Sequence, residues 1–83
     1  MYFCYVLKSL KTNEFYKGIS QNANQRLNEH NSGKTESTKN KRPFELIYVH
    51  ICENRQEARE WEKFFKSGIG REIIKELAGM LEW

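Results

Sequence analysis

Tyr5, Tyr16, Arg26 and His30 fall within the first 30 residues of the chain, with Gly18 among them. Two phenolic hydroxyls, a guanidinium and an imidazole make a set suited to chemistry on a phosphate. A planar guanidinium grips two phosphate oxygens at once. A tyrosine hydroxyl can orient an attacking water or accept its proton. Accepting a proton requires a pKa well below the free value of about 10. A histidine can shuttle a proton or touch phosphate. Gly18 leaves room for a ligand or for a neighbouring group. Plainer roles exist for each: tyrosines in strands are ordinary core residues, and a lone helical arginine is a surface charge.

Local sequence supplies the elements that would hold this set. Phe3-Cys4-Tyr5-Val6-Leu7 and Phe15-Tyr16-Lys17-Gly18-Ile19 read as strands, and Thr12-Asn13 supplies turn chemistry between them. Both faces of the first strand are apolar, with Phe3, Tyr5 and Leu7 on one and Tyr2, Cys4 and Val6 on the other. That pattern predicts a central strand. A helix starts near Asn22 and stops at Gly33. Arg26 and His30, four apart, project from one side of it and reach back toward the tyrosines.

Residues 32 to 43 read as a loop, and 44 to 51 as a third strand on which His50 alternates with Phe44, Leu46 and Tyr48. The strand pattern makes His50 a partly buried, satisfied histidine. Asn54 and Glu57 open a second helix as a capping-box-like start. Ala58, Trp61 and Phe65 form its apolar stripe, Glu62 lies at the stripe's edge, and Glu57 points well away. A carboxylate there needs a partner, either Arg59 or Lys66 at helical spacing or a metal ion. Gly68 and Gly70 break the helix. Ile73, Ile74, Leu77, Ala78 and Leu81 line a third helix that Gly79 weakens, and Trp83 is a core plug or a frayed end.

The triplets Phe3-Cys4-Tyr5 and Tyr16-Lys17-Gly18, ten residues apart, followed by Arg26 and His30, resemble the GIY-YIG nuclease module. Phe3 stands where that family has its first glycine. Lys66-Ser67-Gly68-Ile69-Gly70-Arg71-Glu72 is similar to the end of the family's small stand-alone bacterial branch. The resemblance implies an α+β fold: a three-stranded antiparallel sheet with three helices in the order β-β-α-β-α-α, one domain over residues 1–83. It also implies a Mg²⁺- or Mn²⁺-dependent endonuclease that hydrolyses DNA phosphodiester bonds, end- or structure-specific, in repair or recombination. Tyr5, Tyr16, Arg26, His30 and Glu62 would be the catalytic set. Glu62, in Trp61-Glu62-x-x-Phe65, matches the family's metal-binding glutamate. One carboxylate suffices for a hard cation that keeps several of its waters.

Composition agrees with an anionic partner. The 83 residues carry a formal charge of +3. Lys34, Lys39, Lys41 and Arg42 face one anion, Glu36, within residues 34–42, and with Lys17 and Gly18 they make the expected nucleic-acid contacts. The same run also reads as a solvated loop. No apolar run spans a bilayer and no signal-peptide pattern follows Met1, so the expected location is the cytosol. Cys4 and Cys52 with His30 and His50 are zinc-type ligands, but their spacing matches no common pattern and both cysteines read as small core residues. Two other functions compete: a nucleic-acid-binding module without turnover, and a protein-interaction domain with a protein partner docked on exposed aromatic residues.

Overall fold

A computed structural model describes residues 1–81. The role expected of Trp83 lies outside the described residues. Strand β1 (Tyr2–Ser9) is central, with β2 (Phe15–Ser20) on one side and β3 (Phe44–Cys52) on the other, both antiparallel. Helices α1 (Ala23–Asn31), α2 (Arg55–Lys66) and α3 (Gly68–Leu81) complete the order β-β-α-β-α-α. The central strand is where two apolar faces demand it. Cys4 and Val6 pack with Phe65 and Ile74 of α2 and α3, while Tyr5 and Leu7 pack with Ala23 and Leu27 of α1.

The turn and caps follow local chemistry. Asn13 adopts φ 64°, the left-handed conformation asparagine tolerates. Ser9 Oγ accepts from the Lys11 and Thr12 amides and donates to the Lys41 carbonyl at 2.6 Å, which pins the turn to the later loop. Asn22 and Asn54 each accept the amide three residues on, at 3.0 and 2.8 Å. Such caps contribute about 1 kcal/mol each. Glu57 in turn accepts the amide of Glu53, the residue before the cap, at 3.2 Å. Glu57 is half-buried beside the end of β3.

Three further details differ from the sequence pattern. Tyr48 pairs with Val6 but Leu46 with Leu7, so the strand bulges at Ile47. One inserted residue reverses which face the following side chains meet. Phe44 and Leu46 consequently pack on the α1 side, whereas Tyr48 packs on the α2 side and the His50 ring lies against Trp61. Second, the break between α2 and α3 is at Ser67, and Gly68 and Gly70 lie within the first turn of α3. Gly70 is small because a Cβ there would lie 2.7 Å from Phe65 Cα and overlap the Phe64 carbonyl oxygen. Third, on α3 Ile74 and Ala78 are buried, but Ile73 is exposed, as is Ile69 one turn earlier.

Candidate active site

Residues from both sheet faces meet in a cleft of about 270 Å³ at the edge strand β2. Tyr5, Tyr16 and Gly18 form its floor, Arg26 and His30 come from α1, and Glu62 comes from α2. All five residues expected to do chemistry thus border one cavity. Tyr5 faces Gly18 directly across the β1–β2 ladder. Its ring folds over the glycine so closely that a Cβ on residue 18 would sit 2.6 Å from Tyr5 Cζ. The Tyr5 ring thus requires a glycine at position 18.

His30 is buried, with its ring centroid 4.6 Å from that of Tyr16 and 5.8 Å from that of Phe44. Its Nδ1 lies 2.8 Å from Thr38 Oγ1, and that hydroxyl donates to the Thr35 carbonyl at 3.4 Å. With the hydroxyl proton so directed, His30 is assigned as the Nδ1–H tautomer, leaving the Nε2 lone pair free to accept a proton. Burial, then the Arg26 charge, lower its pKa below the usual histidine value. The sign follows: the unfolded chain takes up a proton that the folded one resists, so stability falls as pH drops below about 6.5. Urea titrations from pH 7.5 to 5 should show that loss, and His30→Gln should flatten it. An unchanged slope in the variant would remove His30 as its source.

Burial pushes the Tyr5 hydroxyl up to about 12, with Tyr16 adding to the rise and Arg26 opposing it. In this setting the Tyr5 hydroxyl stays protonated at neutral pH and can donate a hydrogen bond. Arg26 is exposed and its Nη1 meets Glu29 Oε2 at 2.9 Å. Glu62 is half-buried, with Oε2 3.5 Å from Lys66 Nζ, so of the two cations at helical spacing Lys66 is its ion-pair partner. A single half-buried carboxylate lining the cleft suits Mg²⁺ or Mn²⁺, which takes oxygen ligands and keeps several waters, so the residues fit a hard divalent ion.

Arg55 and Thr35 also line the cleft and escaped the sequence pattern. Arg55 had a signal: it precedes Glu62 by seven residues, which places the two within about 20° on a helix. Thr35 sits in an irregular loop and had none. The basic loop is less free than its composition suggests. Lys39 pairs with Glu36 at 3.2 Å, Lys41 with Glu14 at 3.2 Å, and Arg42 Nε donates to the Lys39 carbonyl at 2.8 Å. Lys34 is exposed. Lys17 lies on the opposite face from Tyr16 and Gly18; burial, then the charges of Arg71 and Lys66, lower its pKa. A second cationic cluster is therefore built from β2, the end of α2 and the start of α3. The large hydrophobics exposed on the described surface are Met1, Leu10, Ile51, Ile69, Ile73 and Met80, all non-aromatic. The exposed aromatic residues expected of a protein-docking surface are not found among the described residues.

The sequence matches the model of a known catalytic domain. The GIY-YIG catalytic domain model covers residues 1–71, and the chain belongs to the GIY-YIG family, whose nucleases are endonuclease-type hydrolases of nucleic acid that generally depend on a divalent metal. Within that family its relatives are UPF0213 proteins. The UPF0213 protein YazA of Bacillus subtilis is 38% identical over 66 residues, which is 78% of this chain and 66%, just under two thirds, of that protein. The UPF0213 protein lwe0147 of Listeria welshimeri is likewise 38% identical, over 78% of this chain and 72% of its own length. The solution NMR structure of the UPF0213 protein BH0048 from Bacillus halodurans superposes with a TM-score of 0.54 at 28% identity, covering 93% of this chain and 85% of that one. Among the described residues no helix is long and apolar enough to cross a membrane.

Proposed function

We propose that the chain is a divalent-metal-dependent endonuclease acting on DNA, with Tyr5, Tyr16, Arg26, His30 and Glu62 as its working residues. The observation that carries this is their convergence on one cleft from β1, β2, α1 and α2. Glu62 would hold Mg²⁺ or Mn²⁺, and the chemistry so supplied is stabilisation of charge on the phosphate and leaving oxygen. Arg26 releases Glu29 and grips two non-bridging oxygens. Tyr5 and Tyr16 orient the attacking water, and His30, which lines the same cleft, takes its proton. Arg55 adds positive charge where the transition state gathers negative charge. A cleft this small contacts backbone and shape rather than base edges, so ends, branches and single strands are the expected targets. Cleavage should be assayed with Mg²⁺ or Mn²⁺ on linear, branched and single-stranded DNA and on RNA. Metal-dependent product that disappears on chelation supports an enzyme. Binding without product on every substrate leaves a nucleic-acid-binding module.

Arg26→Ala should lower the cleavage rate by about a hundredfold, the scale of removing one charge-stabilising donor. Arg26→Lys should recover only part of this, because lysine keeps the charge but not the fork. Full recovery in single-turnover rates would reduce Arg26 to a surface charge.

Binding should weaken steeply with salt, since displaced counterions drive it. Lys66→Ala with Arg71→Ala should flatten the plot of log affinity against log salt by about 0.9 for each phosphate no longer neutralised. Replacing Lys39, Lys41 and Arg42 by alanine should also weaken binding on all sequences alike. A salt slope untouched by either set would place the DNA elsewhere.

A further inference from the structure

We propose that His50, Cys52 and Glu57 form a second metal site, for Zn²⁺ rather than Mg²⁺, joining the end of β3 to the first turn of α2. One ligand atom from each lies within 4.8 Å of the others. In a tetrahedral zinc site, bonds of about 2.0–2.3 Å put ligand atoms about 3.3–3.8 Å apart, so a modest contraction closes the set. Imidazole, thiolate and carboxylate donors suit a borderline-soft ion and leave the fourth position to water.

The bulge at Ile47 is what makes the site. It turns His50 and Cys52 onto the α2 side, where Glu57 already waits as the cap that accepts the Glu53 amide. His50 is held before any ion arrives. Its ring lies on Trp61 with centroids 3.9 Å apart, and its Nδ1 is 3.0 Å from the Tyr48 hydroxyl, which leaves Nε2 for a metal. An outer hydrogen bond to the second ring nitrogen is the usual support of a metal-bound histidine. Cys52 is buried with its Sγ donating to the His50 carbonyl at 3.7 Å, and coordination would displace that proton to solvent. Glu62, five residues beyond Glu57, lies about 140° around the helix and belongs to the cleft instead.

The test uses the full chain, stripped by a chelator and titrated with Co²⁺ as a spectroscopic substitute for Zn²⁺. The expected result is one saturable equivalent with a thiolate-to-cobalt charge-transfer band that Zn²⁺ abolishes and excess Mg²⁺ does not. Cys52→Ser should remove the band. His50→Asn and Glu57→Gln should each weaken binding by at least about tenfold, and Tyr48→Phe by about tenfold because the ring then has no hydroxyl to orient it. Glu62→Gln should leave the band and its affinity unchanged. Should Cys52→Ser fail to fold, the His50 and Glu57 variants carry the test, because both keep the thiol. Absence of the band in the wild-type chain, or a band and affinity indifferent to His50→Asn and Glu57→Gln, overturns the site.

Discussion

Glu62→Gln should abolish cleavage while leaving the protein folded and bound to DNA. Glutamine keeps the shape of the side chain, so Ala58, Trp61 and Phe65 pack as before against the sheet. What disappears is the negative oxygen that a hard cation requires. A loss of about three orders of magnitude in single-turnover rate at saturating Mg²⁺ is expected. DNA affinity should hold or rise, because a negative charge leaves the cleft. The 3.5 Å pair with Lys66 is partly exposed and contributes about 0–1 kcal/mol, so the melting temperature should move little. A folded variant with full activity would mean that Glu62 is only a partner for Lys66, and the metal would have to be held elsewhere.

The second large effect concerns Tyr5. Tyr5→Phe preserves the ring that covers Gly18 and fills the core beside Leu7 and Phe44, so circular dichroism and melting should be near wild type. The hydroxyl alone is removed. Cleavage should fall by about a hundredfold or more, the scale for a group that positions or protonates in the transition state. Because burial holds that hydroxyl protonated, raising the pH from about 7 to about 9 should not accelerate the wild type through Tyr5 ionisation. A tyrosine-dependent rise in rate over that range, absent from Tyr5→Phe, would show a depressed pKa and a base. Unchanged turnover in Tyr5→Phe would pass the role to Tyr16.

Much of the site was legible because its signals are local. Asn22, Asn54 and Asn13 announce caps and a turn, and the double apolar face of β1 announces a central strand. Tyr5 and Gly18 are cross-strand partners once the hairpin is in register, so their closeness follows from the strand–turn–strand reading. The bulge at Ile47 was not legible. A single inserted residue leaves composition and propensity unchanged but reverses every later alternation. The misplacement of His50 relative to Phe44 and Leu46 has this one cause, while the meeting of His50 and Cys52 with Glu57 was hidden also by the helical position of Glu57 outside the apolar stripe. The pairing of Lys41 with Glu14 was hidden for another reason: it spans 27 residues and depends on the packed hairpin. The break expected at Gly68 and Gly70 falls one residue earlier, at Ser67, and Gly70 is small because the first turn of α3 lies against the Phe64 carbonyl at the end of α2.

The cleft draws on both layers of the fold, and this sets an order during synthesis. Tyr5, Tyr16, Arg26 and His30 all leave the ribosome before residue 44, where the third strand begins. Glu62 follows later and takes its place only when α2 docks on the finished sheet. At about 5–20 residues per second, the nascent chain carries its tyrosines, arginine and histidine for seconds before the carboxylate is available. A partly made chain is thereby a basic hairpin and helix that lacks the Glu62 carboxylate. Under the proposed function, the hazard of an unfinished nuclease is contained by where in the chain its last working group is encoded.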